Sequence, residues 1–134
     1  MTERHRVGLL DTSVLIDLGR IRPDRLPIDS RISTITMAEL GLGLHTTGDP
    51  AERALRAERL QRAEAIFDPL AFTVDCARRF THLVGLVIAI GRSPTPRRMD
   101  LMIAAVASAH QLPLFTRNAS DFVGLESVLT TITV

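Results

Sequence analysis

The chain contains no lysine: all sixteen basic residues among its 134 are arginine. It has no tryptophan or tyrosine, and only one cysteine, Cys76. Each absence closes a class of function. Without lysine there is no P-loop nucleotide hydrolysis, no Schiff-base catalysis, and no acid-plus-lysine site of the kind found in receiver domains and haloacid-type phosphatases. One cysteine permits neither an intramolecular disulfide nor a Cys-based zinc cluster. With no tryptophan or tyrosine and only five phenylalanines, base stacking cannot be a main source of nucleic-acid affinity. The longest apolar run, from Leu83 to Ile90, is too short to span a bilayer. The N-terminal residues lead into only a few apolar positions before Asp11, so no signal peptide is expected. A base-composition bias in the gene explains the missing lysine as readily as any function does. The exclusions hold either way.

The remaining composition is that of an ordinary globular chain, 46% hydrophobic and 23% charged. Its length suits one domain with one core, so residues 1–134 are expected to form a single domain of a soluble, cytoplasmic protein. A net charge of +1 selects no partner. An all-arginine basic set does favour forked contacts to phosphate or carboxylate over point charges.

Strands alternate with helices along the chain. Val7 to Leu10 is a short apolar run ending at Asp11, which predicts a buried strand. Val14, Leu15 and Leu18 then fall at helical spacing between Thr12 and Arg20. Arg31 to Ile35 alternates and is β-branched, predicting a second strand, and Thr36-Met-Ala-Glu39 has the form of a capping box. The clearest helix follows: Asp49 as cap, Pro50 at its first position, and the pairs Glu52–Arg56 and Glu58–Arg62. Ala71 to Val74 predicts a short strand. Asp75 is then expected to cap a helix that turns Phe80, Val84, Val87 and Ile88 inward and closes at Gly91. A helix from Arg98 to His110, rich in small residues, precedes strands at Leu112 to Thr116 and Thr130 to Val134. This order implies an α/β sandwich with a mainly parallel sheet.

Four acids stand out against this order. Asp11, Glu39 and Asp121 follow three different strands, and Asp100 opens a helix near the same edge, where open parallel sheets bind ligands. Taken singly, each has a plainer role as a helix cap or a first-turn acid. Together they would repel one another unless something positive sat among them. No lysine exists for this, and His5, His45, His82 and His110 are not adjacent in sequence. A divalent cation with oxygen ligands, Mg²⁺ or Mn²⁺, is the natural partner. Thr116 and Asn118 supply neutral oxygens beside the fourth acid. Arg92, Arg97, Arg98 and Arg117 fall in loops around the edge and make a weak RNA-binding footprint, since exposed arginines are usually just solvated.

Four segments carry a family resemblance. Leu9-Leu-Asp11-Thr-Ser-Val-Leu-Ile16 resembles the opening motif of PIN domains. Thr36-Met-Ala-Glu39-Leu-Gly-Leu-Gly43 resembles their second motif, Asp100-Leu-Met-Ile-Ala-Ala-Val-Ala107 their third, and Thr116-Arg-Asn118-Ala-Ser-Asp121-Phe122 their fourth. They occur in family order across nearly the whole chain, and the Ala-Glu-Leu and Thr-Arg-Asn segments look most like VapC-type toxins of bacterial toxin–antitoxin pairs. The resemblance implies a PIN-like three-layer sandwich around a five-stranded parallel sheet, paired as a homodimer. It implies a magnesium-dependent ribonuclease inhibited by a small cognate antitoxin. Asp11 and Asp100 would be the principal metal ligands, Glu39 and Asp121 would complete the acidic site, and Thr12, Ser13 and Asn118 would steady the ligands.

The expected reaction is hydrolysis of RNA phosphodiester bonds by metal-activated water. No histidine is placed as an obligatory base. One alternative is a catalytically silent PIN-fold binding module, against which the retention of all four acids counts. Another is a metal-dependent small-molecule phosphatase. That class commonly starts from an Asp-x-Asp pair, which Asp11-Thr12-Ser13 lacks.

Overall fold

A computed structural model describes residues 3–134. Four short strands, β1 (Val7–Leu10), β2 (Asp29–Arg31), β3 (Leu114–Thr116) and β4 (Thr131–Thr133), form one sheet in the order β2-β1-β3-β4. Every pairing is parallel. Parallel neighbours cannot be joined by tight hairpins, so the chain crosses over between them. Helix α1 (Thr12–Ile16) lies between β1 and β2. The connection from β2 to β3 carries α2 (Thr34–Leu42), α3 (Pro50–Ile66), α4 (Val74–Ala89) and α5 (Arg98–Ala109).

Successive strand residues point to opposite faces, and the core divides accordingly. Leu9 and Leu114 join Cys76, Leu83, Val87, Leu101 and Ala104 in a core with α4 and α5. Leu10 and Phe115 join Val14, Leu15, Leu40 and Ala63 in a second core with α1, α2 and α3. The sheet is therefore the middle of three layers. Helix α5 is buried at Leu101 and at every residue from Ile103 to Ser108, its alanines leaving room for α4 alongside. Gly8 serves the other face: a Cβ there would lie 2.5 Å from Phe115 Cε1. Among the described residues, no helix is long and apolar enough to cross a membrane.

The parallel sheet and flanking helices agree with the sequence reading, but the sheet has four strands rather than five. The strand expected over residues 71–74 is reduced to one bridge between Ser33 and Leu70. Leu70 N–H donates to Ile32 and Leu70 C=O accepts from Thr34, after which side chains take over. Phe72 N–H donates to the Thr34 hydroxyl, and Thr73 caps α4 by accepting from Cys76 N–H. Asp75 is therefore an exposed first-turn acid, not the cap. Helix α2 begins earlier than the capping-box reading required, because the Ser33 hydroxyl accepts from Thr36 N–H. Thr36 and Glu39 thus lie inside the helix. Ile88 points out, 57% exposed, whereas Leu83 and Val87 carry the inward face of α4. Gly91, at φ +80°, follows α4 as expected.

Candidate active site

All four strands run the same way, so their C-terminal ends share one edge. β1 delivers Asp11 there, and the Asp11 N–H donates to the Phe115 carbonyl at 2.9 Å. The Asp11 side chain caps α1, with Oδ1 accepting from Thr12 N–H at 2.9 Å. Its Oδ2 accepts from the Ser13 hydroxyl at 2.9 Å and the Thr116 hydroxyl at 2.8 Å. Those hydroxyls are themselves held by backbone: Arg117 N–H donates to Ser13 Oγ and Asn118 N–H to Thr116 Oγ1. A carboxylate offers about four lone-pair positions, and these donors leave one, on Oδ1, open to another partner. Burial pushes the Asp11 carboxyl up, its three donors oppose the shift, and the charge of Asp121 adds to it.

Glu39 arrives on α2, three residues after Thr36 and so on nearly the same helix face. The Thr12 hydroxyl donates to Glu39 Oε1 at 2.7 Å and lies 2.9 Å from the Thr36 hydroxyl. Glu39 is raised first by burial and also by the charge of Asp11, with the Thr12 bond opposing. Asp100 is the third residue of α5. It is pushed up to about 6, by burial first and then by Asp11, Asp121 and Glu39, with Arg97 in partial opposition. Asp121 sits on the 3-10 turn Ala119–Phe122.

The four acids lie close enough for their charges to act on one another. None of them forms an ion pair among the described residues. Nor do any three acidic, histidine or cysteine side chains among those residues converge closely enough to cage an ion. Such a donor set fits a cation that keeps much of its water, as Mg²⁺ does, rather than one enclosed by protein. Asp11 and Asp100 have oxygens available for it.

The neutral residues divide. Thr12, Ser13 and Thr116 each hold a carboxylate by hydroxyl. Asn118 contributes its backbone N–H, and its side chain makes no hydrogen bond among the described residues. The arginines divide as well. Arg92 Nη1 donates to the Ser120 carbonyl at 2.8 Å, tying down the turn that carries Asp121. Arg117 pairs with Asp17 at 3.4 Å. Arg98 lies in α5 rather than in a loop, and is exposed. Arg97 Nη1 donates to the Ser93 carbonyl, while its buried Nε has no hydrogen-bond partner among the described residues. Sequence reasoning missed Thr36 as a partner in the site, having spent it on a cap; its spacing from Glu39 was the available signal. It also missed Arg56 and Arg59 of α3, which line a cleft with Thr12 and Glu39.

Comparison with known proteins bears on this geometry. The PIN domain model matches residues 8–123. Ribonuclease VapC5 of Mycobacterium tuberculosis is 36% identical over 132 residues, covering 94% of this chain and 93% of that protein. Ribonuclease VapC8 of the same species is 37% identical over 103 residues, 75% of this chain and 90% of that protein. Among solved structures, VapBC-5 of the M. tuberculosis VapBC toxin–antitoxin family superposes with a TM-score of 0.78 at 30% identity, covering 96% of this chain and 98% of the other. FitAcB from Neisseria gonorrhoeae superposes with a TM-score of 0.74 at 26% identity, over 95% and 96% of the two chains.

Proposed function

The chain belongs to the PIN domain family, and from that premise we propose that it is a VapC-type ribonuclease toxin, metal-dependent and silenced by a cognate antitoxin. The observation that carries the reading is the set of four carboxylates near one sheet edge, with Asp11, Glu39 and Asp100 all raised and none in an ion pair among the described residues. A structural role would have paired or neutralised them.

Asp11 and Asp100 are the principal ligands of Mg²⁺ or Mn²⁺ in this reading, with Glu39 and Asp121 completing the acidic site. An ion held there would supply Lewis acidity toward phosphate and water. The protein's own groups do the rest. Ser13 and Thr116 both donate to Asp11 Oδ2, which leaves Oδ1 with the Thr12 N–H and room for one more partner. The Thr12 hydroxyl holds Glu39 Oε1, and Oε2 accepts no hydrogen bond among the described residues. Arg97 and Arg98, at the start of α5, face the phosphate backbone; Arg92 and Arg117 lend it charge while holding their own loops. Glycosidic or base chemistry is not needed, and RNA is gripped by backbone and shape.

Two assembly statements belong to the same reading. Ile88, Ile90 and Val123 are exposed apolar residues, and Ile90 approaches Gly124 next to Val123; this apolar surface supports pairing into a homodimer. The toxin–antitoxin titles of the similar structures support a small antitoxin as the second partner.

Cleavage of a mixed RNA substrate tests the proposal. The wild type cleaves in Mg²⁺ and is inert in EDTA. Asp11→Asn remains folded by circular dichroism but loses cleavage. Wild-type rates from Asp11→Asn in Mg²⁺ would refute the site.

A further inference from the structure

Thr36 is fully buried, touches no open surface, and has a hydroxyl with one partner among the described residues, the hydroxyl of Thr12 at 2.9 Å. Each threonine hydroxyl carries a single proton. Thr12 Oγ1 also lies 2.7 Å from Glu39 Oε1, a distance typical of a hydroxyl donating to a charged oxygen. Only one arrangement satisfies every buried group: Thr36 donates to Thr12, and Thr12 donates to Glu39. The reverse direction leaves the proton of the fully buried Thr36 hydroxyl with no acceptor among the described residues, which proteins avoid.

We infer that Thr36 is a positioning residue for the nuclease site: by filling the acceptor side of Thr12 it aims the Thr12 proton at Glu39 Oε1 and so presents Oε2 to the cleft. The inference rests on the ribonuclease reading above and adds to it a direction and a division of labour between the two Glu39 oxygens. Helix α2 makes this possible. Thr36 and Glu39 are three residues apart, so one helix face supplies both ends of the relay, while α1 supplies its middle.

The relay makes a specific demand on mutants. Thr36→Val keeps the shape but removes the donor, and Thr36→Ser keeps the donor. Cleavage kinetics and Mn²⁺ affinity by calorimetry are measured for both, for Thr12→Val and for the double variant Thr12→Val/Thr36→Val. Thr36→Val lowers kcat and weakens Mn²⁺ binding by about three- to tenfold with KM unchanged, a smaller loss than removing a direct partner of a ligand. Thr36→Ser restores both to within about twofold. In the Thr12→Val background the Thr36→Val change has no further effect. Thr36→Ala carries the same expectation should the valine variant fail to fold.

The inference is overturned by wild-type behaviour of Thr36→Val, by equal loss in Thr36→Ser, or by an undiminished Thr36→Val effect when Thr12 is already valine. Cleavage that survives Asp11→Asn is a separate failure, since it overturns the ribonuclease site itself and the inference with it.

Discussion

Removing one charge from the acidic edge is expected to stabilise the protein while destroying its activity. The perturbation is Asp100→Asn. Asp100 sits at about 6 against an ordinary 3.8, because burial and three neighbouring carboxylates disfavour its charge. At 1.36 kcal/mol per pH unit, that gap is about 3 kcal/mol. The side chain is only half-buried, so solvent screening reduces it to about 1–2 kcal/mol. The sign follows from linkage. An acid whose folded pKa is raised favours folding in its protonated form, and that contribution fades as pH climbs through the folded value. Asparagine is neutral throughout. In EDTA the variant should therefore melt roughly 4–6 °C above the wild type at about pH 8, and the gap should nearly close only at about pH 3, below the ordinary value of 3.8 at which the unfolded carboxyl titrates. Differential scanning fluorimetry at the two pH values gives the answer. Adding Mg²⁺ should then raise the wild type more than the variant, since an ion bound to the folded state stabilises it. An Asp100→Asn protein no more stable than the wild type at the higher pH, or equally favoured at both, would refute the account of a self-repelling edge.

Three further outcomes are expected. Thr116→Val removes one donor from charged Asp11, so the Asp11 carboxyl rises further and the acidic limb of the pH–rate profile moves to higher pH; an unmoved limb counts against the hydroxyl clamp. Inhibition by the antitoxin should depend on an arginine that forks across carboxylates near Asp11, Glu39 and Asp100. Full inhibition by an antitoxin whose toxin-binding segment has lost every arginine would show that RNA is blocked elsewhere. Light scattering at micromolar concentration should report a dimer, and Ile88→Glu should convert it to a 14.7 kDa monomer; a wild type that is already monomeric ends the dimer reading.

Much of this edge was legible in the sequence because the strands are short and stop at charge. Leu10 to Asp11 and Thr116 to Arg117 are abrupt changes from buried to polar, and both mark true strand ends. Helix α3 was legible for the same reason, with Asp49, Pro50 and both Glu–Arg pairs falling where local rules put them. The fifth strand failed because β-branched character does not guarantee a ladder. Thr34 and Thr73 spend their hydroxyls on Phe72 and Cys76, leaving only Leu70 to pair by backbone. Thr36 was misread because a threonine three residues before a glutamate fits a capping box in sequence. In space, Ser33 had already taken the cap and freed both side chains for the site. The outward turn of Ile88 was hidden by an apolar run too uniform to show which side faces the core.

The clamp on Asp11 also bears on when the molecule becomes dangerous to its maker. Its hydroxyl donor Thr116 lies 105 positions downstream, and β1 has no β3 to pair with until that stretch exists. A nascent chain emerging from the ribosome would carry Asp11, Glu39 and eventually Asp100, yet hold the first of them by little more than its own helix cap. Competence arrives with the closing of a loop more than a hundred residues long, which is among the slower steps a small domain takes. Prematurely terminated products that stop before Leu114 are thus expected to be harmless debris, and a newborn toxin gives its inhibitor the interval between translation of α5 and docking of β3 in which to arrive.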